Sequence, residues 1–279
     1  MPRGRYRLLD LLAPSRGRVI ARLAGDLGGA RFEADLGDAL SREVCFTGIY
    51  EPPIARVFQR HVPRGGTVVD AGANWGYFTL IAAAAAGGAG RVIALEPDPR
   101  HFAALERNLS LNGFTQVRAM RAAAASGDGT LMFAGYDDGE ANRGVSRLVP
   151  RADAAAANQF AVRATTVDAV TGTASTVDLV KIDVEGAEDL VLQGMQAGLA
   201  SRRYRAVLLE LHPSLLRERG VDPESCLRRL QQAGYRGWSI DPSPAAYRAA
   251  IDPAVPVESL LRPLDDWRRS PWPHLLWLC

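Results

Sequence analysis

The stretch Thr67-Val68-Val69-Asp70-Ala71-Gly72-Ala73-Asn74-Trp75-Gly76-Tyr77-Phe78-Thr79 changes character half-way along. Thr67 to Ala71 is a short apolar, β-branched run, the pattern of a buried strand. Tyr77 to Ala86 is apolar and alanine-rich, long enough for a helix, and stops at Gly87-Gly88. Gly72 and Gly76 lie between them. Glycine lets the backbone approach a ligand closely. The helix N-terminus behind adds free N–H groups and partial positive charge, suited to a carboxylate or phosphate.

A second unit of the same kind follows. Arg91 to Glu96 reads as a strand. Pro99 to Asn112 reads as a helix, with Asp98 as N-cap and Gly113 past its end. Glu96 stands 24 residues on from Gly72, where a strand-end carboxylate can accept both hydroxyls of a ribose. The pairing points to a nucleoside-bearing cofactor; the plain alternative is a tight turn that binds nothing. A dinucleotide fingerprint wants G-x-G-x-x-G, and Asn74 and Tyr77 stand where two of those glycines belong.

Upstream, Arg18–Leu23 and Ala30–Leu36 flank a glycine turn and predict a hairpin, and Glu51 to His61 predicts a helix. Residues 1–50 are read as an N-terminal extension, and 51–279 as the main domain. Downstream, strands are expected at Gln116–Met120, Thr130–Phe133, Phe160–Ala164, Val177–Val184, Ala206–Leu211, Tyr235–Ile240 and Leu275–Leu278. A helix is expected at Asp222–Ala233. Gly135–Gln159 reads as a long mobile loop and Pro242–Pro273 as a proline-rich insertion of turns. Strands alternating with helices predict an α/β fold, a mostly parallel sheet covered on both faces.

The 279 residues carry 33 basic and 31 acidic side chains, for a net charge of +2. Hydrophobic residues are 47% and charged residues 23%, which excludes global disorder and collagen-like repeats. Three widely spaced cysteines without a C-x-x-C pair exclude a disulfide scaffold and predict a reduced, cytoplasmic protein. No apolar run reaches the ~18 residues of a membrane span. The N-terminus has scattered arginines and no uninterrupted apolar core, so it does not read as a signal peptide. Lys181 is the only lysine in the chain, and the arginine excess reads as coding bias.

The D-x-G-x-N-x-G loop from Asp70 to Gly76 resembles the S-adenosylmethionine loop of class I methyltransferases. Ala94-Leu95-Glu96-Pro97-Asp98-Pro99, Leu109-Ser110-Leu111-Asn112 and Val177-Asp178-Leu179-Val180-Lys181-Ile182-Asp183-Val184-Glu185-Gly186-Ala187-Glu188 sharpen the likeness. Together they resemble the FkbM-type methyltransferases, from about Tyr50-Glu51-Pro52 to Pro213. The resemblance implies a Rossmann-like, seven-stranded sheet, S-adenosylmethionine as donor, and a hydroxyl acceptor on a sugar or natural product. It implies that Gly72, Asn74 and Gly76 line the methionine and ribose side, and that Asp70 sits near the ammonium. It implies that Glu96 holds the ribose hydroxyls, that residues around Ala124 to Ser126 flank adenine, and that Glu51 belongs to the cofactor side. Two rivals stay open: a nicotinamide-dependent oxidoreductase, and a non-catalytic module binding cofactor or a partner protein.

In this fold the end of the Val177–Val184 strand faces the transferring methyl, which makes Asp183 and Glu185 catalytic candidates. Glu188 and Glu185 also suit the first turn of a helix. Alternation puts Glu210 and His212 on one face of the next strand. A strand-end histidine suits a general base for an alcohol, with a surface histidine capping the next helix as the plain alternative. Asp183, Glu210 and His212 form a further candidate set for a divalent ion such as Mg²⁺. Asp183-Val184-Glu185-Gly186 offers no aromatic to stack on a flipped base, so nucleic acid is disfavoured as a substrate. His61, His101 and His274 receive no role.

Overall fold

The computed structural model describes residues 17–135, 147–149, 158–174 and 176–279. The strands, in chain order, begin with β1 (Arg18–Arg22), β2 (Arg31–Asp35), β3 (Thr67–Ala71), β4 (Arg91–Leu95) and β5 (Val117–Met120). Then come β6 (Ala123–Ala124), β7 (Gly129–Ala134), β8 (Arg147–Val149) and β9 (Gln159–Thr165). The last five are β10 (Val177–Ile182), β11 (Tyr204–Glu210), β12 (Arg236–Ile240), β13 (Leu261–Pro263) and β14 (His274–Leu278). Four helices matter most for the site: α1 (Ala39–Thr47), α2 (Pro52–Arg60), α3 (Tyr77–Ala86) and α4 (Pro99–Asn112).

The main sheet has eight strands in the order β13-β12-β14-β11-β10-β3-β4-β5. From β11 to β5 neighbouring strands are parallel, while β14 runs antiparallel to both β11 and β12. The expected seven strands are therefore joined by an eighth. β13 comes from the proline-rich segment read as turns, where Leu261–Pro263 pairs with Trp238–Ile240. Proline at its end fits an edge strand, which has no further neighbour to bond. Thr130–Phe133 and Phe160–Ala164 do form strands, but in a separate four-stranded sheet ordered β6-β9-β7-β8. Arg147–Val149, inside the stretch read as a loop, pairs with β7. The rest of that reading, and the N-terminal leader reading, lie outside the described residues.

The central strands are apolar on both faces because both are covered. Phe58, Leu80, Ile81, Leu179 and Leu208 pack on one side; Ile93, Ile182, Val207, Leu209 and Trp277 pack on the other. The β1–β2 hairpin docks onto this body. Phe32 and Leu27 are buried in the same cluster as Phe58. Asn108 Oδ1 accepts the Glu33 N–H at 2.6 Å, and Asn112 Oδ1 accepts that of Arg31 at 2.7 Å. The asparagines of the Leu109–Asn112 motif region thus satisfy an otherwise open strand edge. The helix Ala39–Thr47, unforeseen in the sequence, starts at Asp38, which accepts the Ser41 N–H at 2.9 Å.

Candidate functional site

The carboxyl ends of β4, β3, β10 and β11 lie side by side, as they must in a parallel sheet. They bring Glu96, Gly72, Asp183 and Glu210 to one rim. A pocket there is lined by Gly72, Asn74, Glu96, His101, Asp183 and Glu185, together with Ala123, Ala124 and Phe133. Glu96 is 4% exposed. Its Oε2 accepts the Asn74 N–H at 2.7 Å and its Oε1 the Asp98 N–H at 2.8 Å. A carboxylate has about four lone-pair positions, more than these two backbone N–H groups use. His101, without a role in the sequence reading, is buried and lies 3.7 Å from Glu96 Oε1. Its backbone N–H donates to the Asp98 carboxylate that caps α4.

Several expected placements are corrected. Asp70 is fully buried and does not line the pocket: its Oδ2 accepts the Thr79 hydroxyl at 2.6 Å, and Lys181 Nζ lies 3.6 Å from its Oδ1. Of the stretch expected beside adenine, Ala124 lines the pocket together with Ala123, while Ser126 is exposed. Gly76 forms the N-cap of α3 at φ +92°. Glu51 is not among the pocket-lining residues. It clusters instead with Glu210 and His274.

Gly72 has φ +81°, and a Cβ built there would lie 1.7 Å from the Asp183 carbonyl oxygen. The close approach that requires glycine is therefore to the neighbouring strand end as well as to a ligand. Asp183 N–H in turn donates to the Ala71 carbonyl at 3.0 Å. The Gly72 loop and the end of β10 are locked together.

Glu185 and Glu51 both occupy the left-handed region, at φ +50° and +45°. Such a conformation costs roughly 1–3 kcal/mol for a non-glycine residue and persists only where the surroundings impose it. For Glu51 the imposing group is Tyr77, whose hydroxyl donates to the Tyr50 carbonyl at 3.0 Å and accepts the Tyr50 N–H at 2.9 Å.

Beside the pocket, five carboxylates (Glu51, Asp183, Glu185, Glu188 and Glu210) and two histidines (His212 and His274) gather. His212 Nδ1 donates to Glu188 Oε1 at 2.8 Å; its Nε2 lies 3.3 Å from Glu185 and 3.7 Å from Glu210. Burial alone would depress the imidazole. The Glu188 hydrogen bond and the charges of Glu185, Glu188 and Glu210 outweigh it and push the pKa up to about 9. The carboxylates around it thus favour the imidazolium over the neutral ring that a resting general base would need. Glu188, read as a helix cap, is the buried carboxylate that orients it. Burial drives Glu185 up to about 7, despite the opposing His212 charge. Asp183 is held below its ordinary value, because Lys181 and His212 overcome its burial.

His274, unassigned in the sequence, pairs directly with Glu210 across β14 and β11. Its Nε2 lies 3.0 Å from Glu210 and 3.4 Å from Glu51, and these charges raise it well above the usual histidine range against the effect of burial. The signal was available: an antiparallel last strand brings its first residue beside the last residue of β11. Among the described residues, two sets of three have ligand atoms within 4.8 Å of one another: Asp183, Glu185 and His212; and Glu51, Glu210 and His274. The expected set is thereby divided, with Glu185 in the place of Glu210.

A family model of the methyltransferase FkbM domain matches residues 70–236. This chain belongs to the FkbM methyltransferase family. Its donor is accordingly S-adenosylmethionine, and the nicotinamide rival falls. No curated protein matches the chain. Among solved structures it is similar to an S-adenosylmethionine-dependent O-methyltransferase from Thermotoga maritima, with 14% identity, 97% of this chain and 95% of that one covered, and a TM-score of 0.43. It is similar to a TehB-like methyltransferase from Corynebacterium glutamicum at 12% identity, 85% and 92% coverage and a TM-score of 0.45. It is also similar to Aeropyrum pernix fibrillarin with bound S-adenosyl-L-methionine at 11% identity, 96% and 85% coverage and a TM-score of 0.43. Identity at this level carries no substrate from one protein to another. Among the described residues no helix is long and apolar enough to cross a membrane.

Proposed function

We propose that this methyltransferase methylates a hydroxyl oxygen of a small polyhydroxylated acceptor, a sugar or natural product, with Glu185 as the proton acceptor. One observation carries the reading. Asp183 and Glu185 belong at once to the wall of the Gly72–Glu96 pocket and to the acidic cluster with His212, so donor and acceptor sides meet at these two residues. When bound, the donor supplies a methyl already activated on positive sulfur. The chain's task is to align the acceptor oxygen and take its proton. As the new carbon–oxygen bond forms, the sulfur–carbon bond breaks with its electron pair left on sulfur, and the hydroxyl proton passes to a Glu185 oxygen.

A base works best with a pKa near the working pH, and Glu185 is brought there by burial. His212 and Glu188 hold it. Glu51, Glu210 and His274 supply hydrogen-bonding groups for further hydroxyls, and free Cys45, Cys226 and Cys279 support a reducing, cytoplasmic setting. The test is transfer of labelled methyl to a panel of hydroxylated sugars and polyketides, with the product linkage read by mass spectrometry. Methyl on nitrogen or carbon refutes the O-methyl reading. With an acceptor in hand, Glu185→Gln is expected to reduce turnover ~10²–10⁴-fold, the range for a general base. Unchanged turnover in a folded variant removes Glu185 as the base.

A further inference from the structure

Lys181 is the only lysine among 33 basic residues. In a chain that otherwise uses arginine throughout, the one position that keeps lysine asks what guanidinium cannot supply there. The side chain is 4% exposed, in the middle of the sheet. It stands opposite Asp70 in the β10–β3 register. Its Nζ lies 3.1 Å from Asp183 Oδ2, 3.5 Å from the Gly72 carbonyl and 3.6 Å from Asp70 Oδ1. The Phe78 ring closes a further side, 4.9 Å from ring centroid to nitrogen. The ammonium thus donates to the Asp183 carboxylate and the Gly72 carbonyl, with the Asp70 carboxylate as a second counter-charge at 3.6 Å. A planar fork presents its donors side by side and is larger. The site is closed to enlargement, because β3 and β10 are bonded on both sides.

Asp183 lies at the pocket wall, and Gly72 belongs to the loop over it. We propose that Lys181 is a positioning residue that holds Asp183 as an aimed anion beneath the glycine loop, so that the pocket favours the positively charged methyl donor over its neutral demethylated product. This rests on the pocket being the S-adenosylmethionine site. A carboxylate in the wall attracts a sulfonium and gains nothing from a thioether. Its hold depends on staying ionised and fixed in direction, and Lys181 secures both. Asp70, with no face on the pocket, serves as the second counter-charge that keeps the ammonium centred.

The experiment is calorimetric titration of the full chain with S-adenosylmethionine and, separately, S-adenosylhomocysteine, across pH 5 to 8. Parent, Lys181→Arg and Lys181→Met are compared. The ratio of the two affinities is expected to fall about fivefold or more in Lys181→Met, the scale of one charge pair even under water-like screening. The acid limb of S-adenosylmethionine binding is expected to move to higher pH. Lys181→Arg keeps a cation and so guards against a variant that fails to fold. It should lose affinity for the charged ligand and little for the neutral one. Equal losses for both ligands in the folded Arg variant, or an acid limb unmoved in folded Lys181→Met, overturn the proposal and leave Lys181 as a support of the core. If the folded parent binds neither ligand, the cofactor reading fails, and the proposal with it.

Discussion

Gly72→Ala tests the lock between cofactor loop and acceptor strand. Two costs add. The first is backbone: at φ +81° an alanine sits in the left-handed region, which costs roughly 1–2 kcal/mol. The second is collision. The new Cβ would lie 1.7 Å from the Asp183 carbonyl oxygen and 2.9 Å from its carbon, so the strand end must retreat by more than an ångström. That retreat strains the Asp183 N–H to Ala71 bond, worth about 1 kcal/mol, and crowding of a packed interior adds roughly 1–3 kcal/mol.

The total is about 4 kcal/mol. For a chain of this size that corresponds to a melting temperature ~10 °C lower. Gly65→Ala is the matched control. Its φ is +72°, and a Cβ there meets nothing within 4 Å, so it carries the backbone cost alone, about 1 kcal/mol or ~3 °C. Thermal unfolding followed by circular dichroism reads both variants directly. If Gly72→Ala melts within two or three degrees of Gly65→Ala, the contact with Asp183 is not what requires glycine, and the lock is wrong.

Glu96→Ala should weaken S-adenosylmethionine binding by the ~1.5–3 kcal/mol of charged hydrogen bonds; calorimetry on a folded variant with unchanged affinity removes Glu96 from the site. Stability should fall as pH rises from about 5 to 9. His212, raised from 6.5 to about 9, contributes stability that is complete below pH 6.5 and lost as pH passes 9, about 3 kcal/mol in all. Glu185, raised from 4.5 to about 7, adds a loss of the same sign between those values. Asp183, lowered, acts only on the acid side of this window. Urea unfolding at pH 6 and pH 9 measures the fall, and His212→Gln should flatten its upper part; a slope unchanged in that variant contradicts the charged imidazole. Chelator separates the two readings of the cluster: unchanged methyl transfer at neutral pH fits a proton acceptor alone, and inhibition reversed by Mg²⁺ or Mn²⁺ would show it to be an ion site.

The strand–turn–helix core was legible because its signals are local. Thr67–Ala71, Tyr77–Ala86 and Pro99–Asn112 appear with the bounds that period, Asp98 and the flanking glycines announce. What escaped was what only the folded sheet juxtaposes. Asp70 reads as a ligand contact from its place beside the loop, yet its side chain points to Lys181 and Thr79. His274 and Glu210 are 64 positions apart and become neighbours only because the last strand turns back antiparallel. His212 looks like a base until Glu185, Glu188 and Glu210 surround it. A residue type states which chemistry is available, whereas the proton's location depends on every charge within a few ångströms. In this site those charges come from three strand ends and the loop before α2. The same convergence makes the assignment of the base a property of the cluster: withdrawing any one carboxylate shifts the proton affinities of the others. Single substitutions here must therefore be read through pH profiles rather than rates at one pH.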